Sequence, residues 1–307
     1  MRFNTRCRVR MRTRLYAVLL LLCLVQPARA ETPASWTTPI APFQIADNLY
    51  YVGSEDLASY LVVTPAGNIL INANLDTSPP QIRASVEQLG FRWSDIKILL
   101  NSQAHSDHVG GAAQIVRETR AQNMVMEGDA DVVESGGQTD FIAASPPTKT
   151  LFAPVKVDRV LKHGDTVSLG GTTLTAHKTA GHTRGCTTWT MRAHMPGDPK
   201  DKLRDIVIVG GTGFWSEYHF TTTAEHKESY PGIAADFERT FATLRALPAE
   251  IFLGAHGGYF DMATKLKQYK TLGPRTFIDP EGYKQYVDDA EETFKAALAK
   301  QRPTAGK

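Results

Sequence analysis

Apolar positions recur along this chain with two periods, one near two residues and one near 3.6, and the period changes where the elements change. Phe43–Val52, Ser59–Thr64 and Asn68–Ala73 carry the short period of strands, with a Pro65-Ala66-Gly67-Asn68 turn between the last two. Over Pro79–Gly90 the period lengthens. Ile82, Val86 and Leu89 fall at helical spacing behind Ser78, a candidate N-cap. Ile96–Leu100 reads as a buried strand, Gly111–Arg120 as a helix and Met124–Glu127 as a short strand. The second half repeats the theme. Strands Val167–Leu169, Thr172–His177, Thr187–Met191 and Ile206–Val209 precede helix Ala234–Leu247. Strand Ile251–Leu253 precedes helices Met262–Lys270 and Pro280–Lys300. Between the halves, Glu134 to Pro154 is rich in Gly, Ser, Pro and Thr and reads as a flap bordering a cleft. Strands then helix, twice over, is the order of an α/β protein built as a four-layered αββα sandwich. Two sheets covered by helices can bury one large core.

The N-terminal segment does not fit that pattern. Arg2, Arg6, Arg8, Arg10, Arg12 and Arg14 precede an apolar run from Leu15 to Val25, too short to span a bilayer as a stable helix. Ala28-Arg29-Ala30 then offers a small-x-small cleavage site. Residues 1–30 therefore read as a secretory signal peptide, with Met11 an alternative start, and residues 31–307 as a single periplasmic domain. The whole chain carries a net charge of +2, but the signal holds seven Arg and no acid. The mature chain is left with 27 basic and 32 acidic side chains, a net −5. That balance argues against nucleic acid as a partner. Nothing in the mature chain calls for a membrane, and a monomer acting on a small molecule is expected. Cys7 and Cys23 leave with the signal, so Cys186 remains alone and no intramolecular disulfide is possible.

The chemistry concentrates in Asn101-Ser102-Gln103-Ala104-His105-Ser106-Asp107-His108-Val109-Gly110-Gly111. Gln103, His105, Asp107 and His108 lie on a short loop where a strand ends, the edge at which α/β proteins place their chemistry. Imidazoles and a carboxylate are donors that zinc accepts. His182 stands in Thr179-Ala180-Gly181-His182-Thr183-Arg184-Gly185-Cys186-Thr187, and His256 in Leu253-Gly254-Ala255-His256-Gly257-Gly258, each after an apolar strand. His163, His177, His194, His219 and His226 read as loop or capping residues. Cys186 reads as a small buried residue. No G-x-S-x-G nucleophile motif is present.

The first loop resembles the H-x-H-x-D-H signature of the metallo-β-lactamase superfamily, with Gln103 where the first His stands. The His182 loop looks like the family's G-H-T-x-G, and the His256 loop like its last ligand loop. The resemblance covers roughly Phe43 to Met262. It implies a first zinc on Gln103, His105 and His182 and a second on Asp107, His108 and His256. Three protein ligands per zinc would leave a position for an activated water, oriented by Asp107 as the catalytic carboxylate. Where many family members carry a bridging acid, and one β-lactamase subclass a Cys, this chain has Gly210-Gly211-Thr212. That absence, with Tyr230-Pro231 and the run from Asp236 to Pro248, resembles class B β-lactamases of the third subclass. The resemblance implies hydrolysis of the amide bond of penicillins, cephalosporins or carbapenems, and with it antibiotic resistance. A zinc hydrolase acting on a lactone or ester, or a non-catalytic zinc-binding protein, remains open. A neutral amide binds zinc more weakly than imidazole, so Gln103 leaves one or two zincs per chain open. Thr212 is either a substrate-binding hydroxyl or a turn residue.

Overall fold

Strict alternation of side chains places one sheet between two apolar layers. In the computed structural model, which describes Met1, residues 32–142 and residues 151–302, seven strands hydrogen-bond in chain order. They are β1 (Phe43–Ala46), β2 (Leu49–Tyr51), β3 (Tyr60–Thr64), β4 (Gly67–Ile71), β5 (Ile96–Leu100), β6 (Gln122–Met126) and β7 (Arg159–Leu161). Pairing is antiparallel from β1 to β4 and parallel from β4 to β7. Parallel neighbours need crossovers. Helices α1 (Pro79–Gln88), α2 (Ser106–Val109), α3 (Ala112–Thr119) and α4 (Ala130–Ser135) lie in them. Ile69, Ile71, Ile98, Leu100, Met124 and Met126 face the central core. Leu70, Leu99 and Val125 face outward, onto Ile82 and Val86 of α1, Ile115 of α3 and Val132 of α4.

The second sheet runs in the order β12-β11-β10-β9-β8. Its strands are β8 (Thr166–Leu169), β9 (Thr172–Lys178), β10 (Thr187–Ala193), β11 (Arg204–Val209) and β12 (Ile251–Gly254). All pairs are antiparallel except β11–β12. Ile206 to Val209 are buried without a break because both faces are covered. Phe237 and Phe241 of α5 (Ile233–Ala246) and Phe294 of α7 (Pro280–Gln301) complete the core, and α6 (Met262–Leu272) leads into α7. This is the αββα arrangement that the order of elements implies.

The differences from the sequence pattern are local. Phe43–Val52 is two strands, because Asp47 and Asn48 turn the chain and the β1–β2 register slips at Gln44/Ala46. The Asn101–Gly111 loop contains the short helix α2, and α4 starts ahead of the stretch read as a flap and ends inside it. Residues 143–150 of that stretch, and the signal segment beyond Met1, lie outside the described residues. Among the described residues, no helix is long and apolar enough to cross a membrane.

Candidate metal centre

Three loops at one edge of the two sheets bring the predicted residues together. The first leaves β5. Its Ser102 N–H donates to Asn72 Oδ1 at 2.8 Å, and Asn72, at the end of β4, adopts φ +68°. Asn is among the few residues that accept this left-handed conformation. The loop then winds into α2 so tightly that a Cβ on Gly110 would lie 2.4 Å from Ser106 O, and one on Gly111 2.5 Å from Ala73 O. Glycine is required there for backbone to touch backbone. The second loop joins β9 to β10 and carries His182; the third follows β12 and carries His256.

The side chains form two adjoining groups. In one, His105 Nδ1 and His182 Nε2 are 3.1 Å apart, and Gln103 is buried with Oε1 lacking any hydrogen-bond partner. The Gln103 amide N–H makes a long contact of 3.5 Å to Gly210 O, so the amide nitrogen faces the backbone. In the other group, Asp107 Oδ2 is 3.3 Å from His108 Nε2 and 3.4 Å from His256 Nε2. One ligand atom from each of Asp107, His108 and His256 lies within 4.8 Å of the others. Neither ring nitrogen of His108 has a hydrogen-bond partner, although the ring is fully buried. A buried polar atom left unpaired costs about 1–3 kcal/mol, and a cation bound by Gln103 Oε1 or by a ring nitrogen of His108 would remove that cost. The donor set, imidazole nitrogens with one carboxylate and one amide oxygen, fits zinc.

The charges agree. Burial pushes His182 down to about 3, helped by the neighbouring His105, so its ring is neutral near pH 7 with a lone pair to offer. Burial also lowers His108, against the pull of Asp107. For Asp107, burial opposes ionisation, but His108 and His256 outweigh it and hold the carboxyl well below its usual range. His256 is likewise opposed by burial yet raised to about 9, because it lies between the carboxylates of Asp107 and Asp56. A carboxylate so strongly held by neighbouring protons is a site at which a metal can replace them.

Several contributors carry no sequence motif. Asp56, on the β2–β3 connection, accepts from His256 Nδ1 at 2.8 Å and from Gly258 N at 2.9 Å. Gly213 O takes His182 Nδ1–H at 2.7 Å. Both bonds fix the tautomer that leaves Nε2 free. Asp140 Oδ2 stands 3.3 Å from His105 Nε2, an ion-pair distance reached off the N–H axis. Asp129 is buried and clamps two loops, accepting from Ala104 N at 3.0 Å, Thr183 Oγ1 at 2.7 Å and Gly185 N at 2.7 Å. Trp36 packs against His256, and Trp215 against His105 and His182, at ring separations of 5.6, 5.4 and 5.5 Å. These aromatic walls come from separate segments, so no local spacing announces them.

The remaining candidates fall elsewhere or are already bonded. Thr212 lies near the cleft, but its hydroxyl pairs with Tyr286 OH at 2.7 Å. Cys186 is fully buried, its Sγ 3.4 Å from Gly211 O, and burial pushes its thiol far up, so it stays protonated. His177 bonds Thr190 and His194 bonds Lys202 O. His163 accepts from Lys178 N, and His219 stacks on His226 at 3.8 Å. An S-x-x-K spacing does occur, at Ser94-Asp95-Ile96-Lys97, but at the opposite end of β5. Lys97 is exposed there and bonds Ser94 O, so the pair makes no catalytic serine site.

Residues 57–194 match the profile described as the Metallo-beta-lactamase superfamily. The native FEZ-1 metallo-beta-lactamase from Legionella gormanii is 45% identical, covering 86% of this chain and 97% of that one, with a TM-score of 0.81. LRA-12, a class B3 di-zinc metallo-beta-lactamase from an Alaskan soil metagenome, is 34% identical over 89% and 99% of the two chains, with a TM-score of 0.78. Among curated sequences, a probable metallo-hydrolase of Burkholderia pseudomallei is 30% identical over 144 residues, 46% of this chain and 45% of that protein. The match spans about half the length of such curated relatives.

Proposed function

The chain belongs to the metallo-beta-lactamase superfamily, and we propose that it is a zinc hydrolase that opens the ring amide of β-lactams. Gln103, His105 and His182 would hold a first zinc, and Asp107, His108 and His256 a second. The observation that carries this reading is the clustering of one ligand atom each from Asp107, His108 and His256 within 4.8 Å of one another, with the buried His108 ring and Gln103 Oε1 left unpaired. Likeness to β-lactamases over nearly their whole length supports the choice of substrate.

Zinc bound there supplies a Lewis acid and lowers the pKa of a coordinated water to about 7. The chain does the positioning. Asp107, ionised and therefore acceptor-only, orients a water by taking its hydrogen bond. Asp56 and Gly213 O hold the protons of His256 and His182 on Nδ1, away from the cleft. Trp36 and Trp215 flank the donors and screen them from bulk solvent. Thr212 reaches a substrate only by sharing its bond to Tyr286. The N-terminal segment alone supports export to the periplasm, where the activity would confer resistance. Fractionation and drug-susceptibility tests in a bacterial host check that part.

Steady-state hydrolysis of nitrocefin, compared with a panel of lactones and esters, tests the substrate. Turnover of nitrocefin should be fastest, abolished by dipicolinate and indifferent to clavulanate. Faster lactone or ester turnover would shift the assignment within the family. No turnover of any of these with zinc supplied would leave a zinc-binding protein.

A further inference from the structure

The two imidazoles of the first group face a choice of proton position. His182 donates Nδ1–H to Gly213 O, so its Nε2 is a lone pair aimed at His105 Nδ1, 3.1 Å away. In a neutral His105 the single ring proton can sit in either of two places. On Nδ1 it bonds His182 Nε2 and closes the gap a metal would enter. On Nε2 it lies beside Asp140 Oδ2, 3.3 Å from the nitrogen and off the N–H axis, so the attraction is one of charge, and Nδ1 is left open. Both side chains are more than nine-tenths buried, so solvent does little to screen the pair.

Asp140 is itself held. Its Oδ1 accepts from Ile142 N at 3.2 Å, and the adjoining Phe141 packs on Tyr218 and Tyr230. Of the donors in this group, Gln103 is a neutral amide and His182 leans on a neutral carbonyl. Only His105 has an anionic partner. A carboxylate behind a ligand imidazole fixes its tautomer and raises its basicity.

We propose that Asp140 is a positioning residue that draws the His105 proton to Nε2 and thereby sets the metal affinity of the Gln103-His105-His182 centre, without touching the metal. The inference rests on the two-centre reading above. Asp140→Asn keeps an oxygen for Ile142 N and removes the charge; Asp140→Ala removes both. Two measurements are made on the full-length mature protein.

Zinc ion alone is titrated against a chromophoric chelator. Separately, long-range 1H–15N correlation reports the His105 tautomer in metal-free protein at alkaline pH. Asp140→Asn should weaken one centre by about tenfold to a hundredfold and leave the other unchanged. The His105 proton should move from Nε2 toward Nδ1 in both, and at least as far in Asp140→Asn, whose amide NH₂ would face Nε2, as in Asp140→Ala. If the wild type binds two zincs and Asp140→Asn changes neither affinity nor tautomer, the proposal fails while the two-centre reading stands. Equal weakening of both centres, with the tautomer unmoved, would make Asp140 a loop anchor only and also overturns it. A wild type that takes no second zinc would remove the first centre itself, and the proposal with it.

Discussion

Asp129 offers a quantitative test of how the loops of the candidate centre are held. Its carboxylate joins the His105 loop, through Ala104 N, to the His182 loop, through Thr183 Oγ1 and Gly185 N. Burial raises its pKa from 3.8 to about 6, despite the opposing bonds from Thr183 and Gly185. A raised folded-state pKa means that ionised Asp129 weighs against folding. Its contribution is most favourable below the unfolded pKa of 3.8 and is lost as pH rises through about 6. A rise from 3.8 to about 6 corresponds to about 3 kcal/mol.

Asp129→Asn removes that dependence. It also leaves one N–H facing an amide NH₂ in place of an oxygen, at a cost of about 1–3 kcal/mol. The two effects nearly cancel at pH 7, and the loss dominates at pH 4. Urea unfolding of metal-free wild type and Asp129→Asn across this range measures the difference directly. The wild type should gain about 2 kcal/mol on the variant between pH 7 and pH 4, the remainder coming only below the unfolded pKa. A difference that stays constant with pH would refute the burial argument. Zinc favours the ionised carboxylate nearby, so the slope should shrink in the loaded protein.

Three further outcomes follow from the site. Asp107→Ala should lose zinc and lower kcat/KM by on the order of a thousandfold or more, far beyond Gln103→Ala; atomic absorption with nitrocefin kinetics checks both, and near-normal turnover in Asp107→Ala would remove its assigned role. Cys186→Ser should keep its zinc content and stay within a few-fold of wild-type turnover, because the buried thiol stays protonated and bonds backbone; loss of one zinc equivalent would make it a ligand. Gln103→His places a ring Nε2 at the same number of bonds from Cα as Oε1 and should tighten the first centre by on the order of tenfold, about 1.4 kcal/mol. Chelator competition reads that change, and two equally tight sites in both proteins would show that the amide does not control occupancy.

The sequence makes the donors legible because the donors are local. His105, Asp107 and His108 fall within a four-residue span shortly after β5, His256 follows the buried strand β12, and His182 follows the partly exposed strand β9. Hydrophobic runs locate the strands, and the loop chemistry then stands out against them. The same pattern places β5 at its observed limits, Ile96–Leu100, and α5 and α7 within a residue at each end. It misses β7, three residues long with two of them exposed, and α4, six residues long with only the adjacent pair Val132 and Val133 buried. Neither has enough apolar positions to show a period. The break in Phe43–Val52 was present as Asp47-Asn48, but continuous apolar flanks hide a two-residue turn.

What supports the donors is not legible, because it comes from far along the chain. Asp56 lies 200 residues from His256, and Gly213 O lies 31 from His182. These distant partners make the two candidate centres unequal. The second group contains one carboxylate, Asp107, and has another, Asp56, behind His256. The first contains none, and its negative charge stands one step back, on Asp140. A dication is drawn most strongly to charge it can touch, since attraction falls with distance and rises with desolvation. The second centre should therefore fill first from limiting zinc. Gln103 widens the gap by offering an amide where an imidazole could stand, and Asp140 narrows it by strengthening His105. Gln103→His and Asp140→Asn should then move first-centre affinity in opposite directions. Their double variant should fall between the two single ones, with any departure from additivity measuring how far His105 and residue 103 act as one site.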